Sequence, residues 1–422
     1  MKNLKTNIIK EYDKNKHIRE VLENGSYVVK LALIRNVREI VELLIKSVFE
    51  DEITEKIGER YKHGKKERKI YRWGRNPGSV RIGEEKVKIE IPRLRDEQTK
   101  SEVVLDSYNK LKEAEPDTEK LLKGVMHGIS MNDYHDVVRQ FEDSYGLSRS
   151  KVSQMFIEQS SKRVEEFLNR DLSIYNFVAL FIDGKYLAKE QIVIVLGITE
   201  EGDKIALGFI QAATENSRSI KEMLSGLIER GFKYDDGILC ITDGSKGIHK
   251  AVKDTFGDYG VIKRCSWHKR ENMLSYLPES CKEGFKKKYN KAYSNTDYIE
   301  ARNAFIDLSE ELSRVNISAS RSILEGLDEL LTLHRLNLIE DFGRSFSTTN
   351  VIESLNSQLV KYIGKVKYWK TSDQRYRWVA SALIEIEPRL RKVNNYRGLN
   401  ILKEKVKAEV ESKIKNKNLV TS

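Results

Sequence analysis

Cysteine is nearly absent: only Cys240, Cys265 and Cys281 occur in 422 residues. Three thiols cannot form the framework of a disulfide-stapled secreted domain. Proline is almost as scarce, at 5 residues, and none lies between Pro116 and Pro278. A long stretch of regular α/β structure is expected there, because nothing in it locks φ or removes an N–H. No stretch approaches the ~18 uninterrupted apolar residues of a membrane-spanning helix; the longest candidate, 172–182, has 11. The opening MKNLKTNIIKEYDKNK lacks an apolar signal-peptide core. A reducing cytoplasm without membrane contact is the expected setting.

Charge, by contrast, is abundant. Lys and Arg number 75 against 64 Asp and Glu, a formal net charge of +11. Residues 61–95 carry 12 basic against 4 acidic side chains, and residues 361–407 carry 13 against 4, so the remainder is mildly acidic. Tyr71, Trp73, Tyr368, Trp369, Tyr376 and Trp378 interleave with these basic residues. Cations mixed with stackable rings suit a phosphate backbone with unpaired bases nearby; a solvated surface with buried rings has the same composition.

Periodicity divides the chain. Residues 1–60 read as helical, with Ile34, Val37, Val41, Leu44 and Ile45 on one stripe. In 61–115, Gly and Pro punctuate 75–78, and Val80, Ile82, Val87, Ile89 and Ile91 alternate, which predicts a small basic β-hairpin. Residues 116–172 turn helical again. Tyr134, Val137, Val138 and Phe141 form a stripe, Gly146 makes a turn, Ser148 caps, and Val152 and Phe156 face inward. That is a helix-turn-helix pattern presenting Arg149, Ser150, Lys151, Ser153 and Gln154 to DNA, although a generic helix hairpin has the same spacing. From 173 to 276 the order is three strands, helix, strand, helix, strand, which predicts a mixed α/β sheet of ribonuclease-H-like arrangement. Residues 277–345 read as an all-α insertion, 346–400 as the return to the catalytic core with a basic segment, and 401–422 as a basic tail.

Two aspartates end buried strands in this reading: Asp183 after FVALFI and Asp243 after ILCIT, each followed by glycine. Carboxylates at the C-terminal edge of an open sheet stand where such folds place their sites. Two neighbouring carboxylates repel unless a cation bridges them, and Mg²⁺ takes a few carboxylates plus water and phosphate oxygens. Glu353, at the margin of the helical stripe Ile352, Leu355 and Leu359 and beside Asn350 and Asn356, would complete a two-metal phosphoryl-transfer site. The bland alternative is two tight turns and a surface glutamate. Cys265-x-x-His268 alone is weak evidence for zinc; Cys281 and His249 complete no regular spacing. His249 and His334 read as structural.

The segments FIDGKY at 181–186, ITDGSKGI at 241–248, RCSWHKREN at 264–272 and TTNVIESLN at 348–356 resemble those of Mutator-type transposases, in their prokaryotic insertion-sequence branch. Residues 375–399 resemble the family's C-terminal stretch, and YRWGRNPGSV with IPRLRD its N-terminal hairpin. The resemblance implies a DDE triad of Asp183, Asp243 and Glu353 that binds two Mg²⁺ (or Mn²⁺) ions. It also implies active-site support from Cys265, His268, Trp267 and Asn350, with His268 near the scissile phosphate and Trp267 against an unpaired base. The implied partners are double-stranded DNA, as terminal inverted repeats and target, and a second copy of the chain, since pairing two ends requires at least a homodimer. Bound to DNA, the protein would be nucleoid-associated. A nuclease without strand transfer and an inactive DNA-binding derivative are the alternatives.

Overall fold

A computed structural model describes residues 37–58, 69–82, 85–112, 122, 149–187, 190–212, 216–364, 366, 369 and 371–421. Its contacts divide the chain into two compact units, 1–117 with 139–148, and 118–138 with 149–422. Among the described residues no helix is long and apolar enough to cross a membrane.

In the first unit, α1 (Val37–Ile57) is followed by β1 (Ile70–Ile82), β2 (Glu85–Asp96), a short β3 (Glu102–Val103) and α2 (Asp106–Lys112). The three strands form one antiparallel sheet in that order. Ile45, Phe49 and Ile53 of α1 bury against Val80, Ile89, Leu94 and Leu105, flanked by Val41 and Ile57. The buried stripe therefore advances in steps of four, and Leu44, expected on it, is 60% exposed because it lies about 100° round the helix from Ile45. Ile34 and the rest of 1–36 fall outside the described residues. The expected β-hairpin forms from β1 and β2, and the Pro and Gly of 75–78 do not interrupt it. The strand runs through Pro77, with only a register shift between Arg72 and Arg75. Proline is tolerated because β1 is an edge strand, whose outward N–H has no ladder to serve.

The second unit opens with α3 (Arg149–Leu168), in which Val152 and Phe156 are buried as the spacing predicts. The helix-turn-helix partner at 123–148 lies outside the described residues. β4 (Phe177–Leu187), β5 (Glu190–Thr199) and β6 (Lys204–Ala212) form an antiparallel meander. Helices α4 (Ser217–Glu229) and α5 (Lys246–Phe256) then provide the crossovers that parallel strands require, to β7 (Ile238–Thr242) and β8 (Gly260–Arg264). The strand order is β6-β5-β4-β7-β8, with β7 parallel to both β4 and β8.

Strand side chains alternate between the two faces. Leu180, Ile182, Cys240 and Ile262 pack under Ile220, Leu224 and Leu227 of α4 and Ile248, Val252 and Phe256 of α5. The opposite face carries Phe181, which stacks on Phe346 at a 5.7 Å centroid separation. All secondary structure from 266 to 346 is helical: α6 (Ser266–Ser275), α7 (Glu279–Tyr293), α8 (Tyr298–Ser313), α9 (Ile317–Leu324), α10 (Leu327–Leu330), α11 (Thr332–Arg335) and α12 (Ile339–Phe346). Phe285, Tyr289, Phe305, Leu312, Ile323 and Leu331 give the segment its own apolar core. Then come α13 (Asn350–Ile363), α14 (Ser372–Ile386) and α15 (Leu399–Thr421). The last runs through position 400 and buries Leu402, Val406 and Val410.

Candidate active site

Parallel pairing between β4 and β7 ends at Ile182↔Thr242, and β7 meets β8 at Thr242↔Arg264. Asp183, Asp243 and Cys265 each follow immediately, so three side chains on one sheet face form a row across three neighbouring chain segments. The expectation that Asp183 ends its strand is corrected here: β4 continues through Gly184 to Leu187, paired antiparallel with β5. Only the parallel partner stops at this point, which opens one side of Asp183 while the other side stays laddered. Asp243 does end its strand. Its Oδ1 accepts the Ser245 N–H at 2.8 Å, and Gly244 turns the chain at φ +97°, a conformation open to glycine at no steric cost.

Asp183 is 5% exposed. Its Oδ2 accepts a hydrogen bond from Nδ2 of fully buried Asn356 at 3.2 Å, while the Asn356 Oδ1 has no partner. Asn356 belongs to α13, which lies against β4, so this bond fixes the helix that also carries Glu353. One helical turn earlier, fully buried Thr349 donates from Oγ1 to Glu353 Oε1 at 2.8 Å. The same Oγ1 lies 3.3 Å from His268 Nδ1 and 3.5 Å from Cys265 Sγ. A hydroxyl has one proton, and the shortest contact assigns it to Glu353, leaving the charged imidazole to donate to Oγ1.

Cys265 is the N-cap residue of α6 and His268 stands in the helix's first turn. Burial alone would lower the His268 pKa, but the Cys265 sulfur, as hydrogen-bond partner and as charge, and then Asp183 and Asp243 raise it to about 9. Burial alone would raise Cys265; the His268 ring and backbone N–H are the largest opposing causes, and the thiol is lowered. The two groups thus shift one another in opposite directions, and both aspartates favour the charged imidazole. The Trp267 ring meets His268 edge-on at 4.8 Å and is 45% exposed.

Among the described residues, no three His, Cys, Asp or Glu side chains are gathered closely enough to hold a metal ion. Glu353, turned toward Thr349, stands apart from the two aspartates. The two carboxylates in the row are hard oxygen donors, the type that fits a cation such as Mg²⁺ or Mn²⁺. Asn350 is exposed, and its backbone N–H donates to the Thr348 hydroxyl. Ser150, Lys151 and Gln154 are exposed on α3, with Gln154 bonded to Glu158 at 2.9 Å; the Arg149 side chain lies outside the description.

Sequence reasoning passed over Thr349, and it named Asn356 only as a neighbour of Glu353. The signal was there, since 349, 353 and 356 share a helix face at spacings of four and three. His334 is fully buried with Nε2 3.0 Å from the Tyr293 carbonyl, a packing role. His249 bridges Thr242 Oγ1 at 2.7 Å and Glu329 Oε2 at 3.3 Å, which ties β7 to α10 of the helical segment.

A family model described as "Transposase, Mutator family" matches residues 16–387. The chain is 28% identical over 236 residues to the transposase for insertion sequence element IS6120 of Mycolicibacterium smegmatis, covering 54% of this chain and 71% of that one. It is 28% identical over 255 residues to the transposase for IS905 of Lactococcus lactis, covering 58% and 63%. A third relative, the transposase for IS256 in transposon Tn4001 of Staphylococcus aureus, is 23% identical over 383 residues, covering 88% and 94%. With the match spanning nearly the whole chain, including both aspartate strands, the Cys265–His268 helix and α13, the protein belongs to the Mutator family of transposases.

Proposed function

We propose that this protein is a DDE transposase that cleaves the ends of an insertion sequence and joins them to target DNA. The observation that carries this reading is the row formed by Asp183 and Asp243 at the end of the β4–β7 pairing, tied through Asn356 to the helix bearing Glu353. The strand order, an antiparallel meander followed by two parallel strands, supports a ribonuclease-H-like catalytic core interrupted by an all-α insertion.

In this reading Asp183, Asp243 and Glu353 would hold the cations, Glu353 in exchange for its Thr349 hydrogen bond. Bound there, two Mg²⁺ ions would activate the attacking oxygen and neutralise charge on the leaving one. The chain's own groups set up the rest. Asn356 orients the Asp183 carboxylate, and Gly244 turns the backbone out of the way of a substrate. His268, kept protonated, offers an N–H to a phosphate oxygen, and exposed Trp267 is a surface for an unpaired base. Arg149, Ser150, Lys151 and Gln154 read the terminal repeat, and two copies of the chain pair the two ends.

The test is 3′-end nicking and joining of duplex DNA taken from the inverted repeats flanking the gene, with the full chain and Mg²⁺. Asp183→Ala should abolish both steps while leaving DNA binding intact. Undiminished activity in that variant removes the metal-site assignment, and binding without any nicking by the unaltered chain favours an inactive DNA-binding derivative.

A further inference from the structure

We propose that the cavity between α5 and the start of α10 is a phosphate subsite, which grips a backbone phosphate of the DNA strand beside the reacting one. It lies on the α5 face of the sheet, behind Asp243 and toward β8, and is distinct from the carboxylate row on the opposite face. The proposal rests on the transposase reading.

The cavity measures about 400 Å³ and is lined by Gly244, Lys246, Lys250, Arg264 and Gly326 among others. The lining residues Gly244 and Lys246 flank Ser245, the N-cap of α5, which makes no side-chain cap. The first-turn N–H groups of an eleven-residue helix therefore point outward without an intrahelical acceptor, an arrangement that favours an anion.

Arg264 is the independent observation. Its side chain is 7% exposed. One N–H, from Nη1, goes to the Glu325 carbonyl oxygen at 3.1 Å, and the buried Nε has no acceptor. The guanidinium is slotted between two glycines with positive φ: a Cβ on Gly244 would come within 2.3 Å of Nε, and one on Gly326 within 2.7 Å of Nη1. Both backbone turns leave room for this one cation, whose charge also acts on nearby Glu329. A buried guanidinium with unspent donors matches the geometry of a phosphate.

At the mouth, Lys246 and Lys250 are exposed one turn apart on α5, and neither has an acidic partner among the described residues. Of the rim carboxylates, Glu329 is held by His249 and by Lys253 at 3.6 Å, and Asp254 and Glu325 face solvent. Gly244, directly after Asp243, forms one wall, so an anion held here sits next to the catalytic strand.

The test uses the full chain. Binding to a random-sequence duplex is measured by fluorescence anisotropy across a salt series, and unfolding is followed with and without inorganic phosphate. Each phosphate contact contributes about −0.9 to the slope of log K against log salt, so losing the single contact in Lys246→Gln with Lys250→Gln should flatten that slope by about one. Lys221→Gln, an exposed change on α4, should leave it unchanged. Inorganic phosphate should raise the unfolding temperature of the unaltered chain and lose that effect in the double variant. An unchanged slope with DNA binding intact overturns the subsite. So does loss of the phosphate effect alone, because the cavity would then serve a free anion. Failure of the unaltered chain to bind duplex DNA at any salt overturns the transposase reading, and this proposal with it.

Discussion

Asn356 donates to Asp183 across 173 positions of sequence, at 3.2 Å and out of contact with water. That bond joins the central strand of the sheet to α13, and its removal has a definite expected cost. Asn356→Ala deprives a buried carboxylate of a donor, a loss of about 1–3 kcal/mol. Asn356→Asp should be worse in the absence of Mg²⁺, since it sets two carboxylates together, and should recover partly when the cation is added. Denaturant unfolding of the two variants with and without Mg²⁺ measures both effects.

His268 gives a direct titration. Its imidazole signal should remain that of the charged ring through neutral pH and move near pH 9. With a raised folded value, its stabilising contribution is complete below the ordinary 6.5 and is lost as pH rises through about 9. Cys265, with a lowered value, acts in the opposite sense: its contribution is complete above the ordinary 9.0 and fades as pH falls through the lowered value. Cys265→Ser should bring the His268 midpoint down sharply, because burial then acts with less opposition. Mg²⁺ on Asp183 and Asp243 should lower it in the unaltered chain, by cancelling the attraction of those carboxylates. A midpoint near 6.5 that neither change moves would contradict the coupling.

How far the site could be read in advance follows from the range of each interaction. Asp183 and Asp243 were legible because each adjoins an apolar strand, a purely local pattern. Their alignment in one row was not, since it depends on the parallel pairing of β4 with β7. The same limit hid the continuation of β4 beyond Gly184, which β5 enforces by pairing as far as Leu187↔Glu190. Pro77 misled in the opposite direction: its local signal is a break, but an edge strand needs nothing from that N–H. Arg264 carried no local signal at all, because its slot is built by Gly244 and by Gly326, which lies in the helical segment.

Glu329 is held near pKa 2, first by its hydrogen bond from His249, against the opposing effect of burial, and then by His249, Lys253 and Arg264 as charges. A depressed carboxylate stabilises the fold above its ordinary 4.5 and loses that contribution as pH falls through about 2. Glu329→Gln should therefore lower stability at neutral pH, and the gap to the unaltered chain should close on acidification. Urea midpoints at pH 7 and pH 3 give the comparison.

Two glycine substitutions should act with opposite signs. Gly244→Ala places a Cβ at φ +97° against the Arg264 guanidinium, so backbone strain and collision add, for a loss above about 1 kcal/mol. Gly284 lies inside α7, and a Cβ there meets nothing within 4 Å. Gly284→Ala should stabilise the helical segment by about 0.4–1 kcal/mol, by restricting the unfolded chain. The comparison separates a glycine required by its surroundings from one that is merely present. Arg264→Gln tests the cause, because a shorter, neutral side chain leaves space over Gly244. In that background Gly244→Ala should cost only its backbone strain, so the two substitutions should be non-additive in unfolding measurements. Strict additivity would show that Gly244 and Arg264 do not restrain one another.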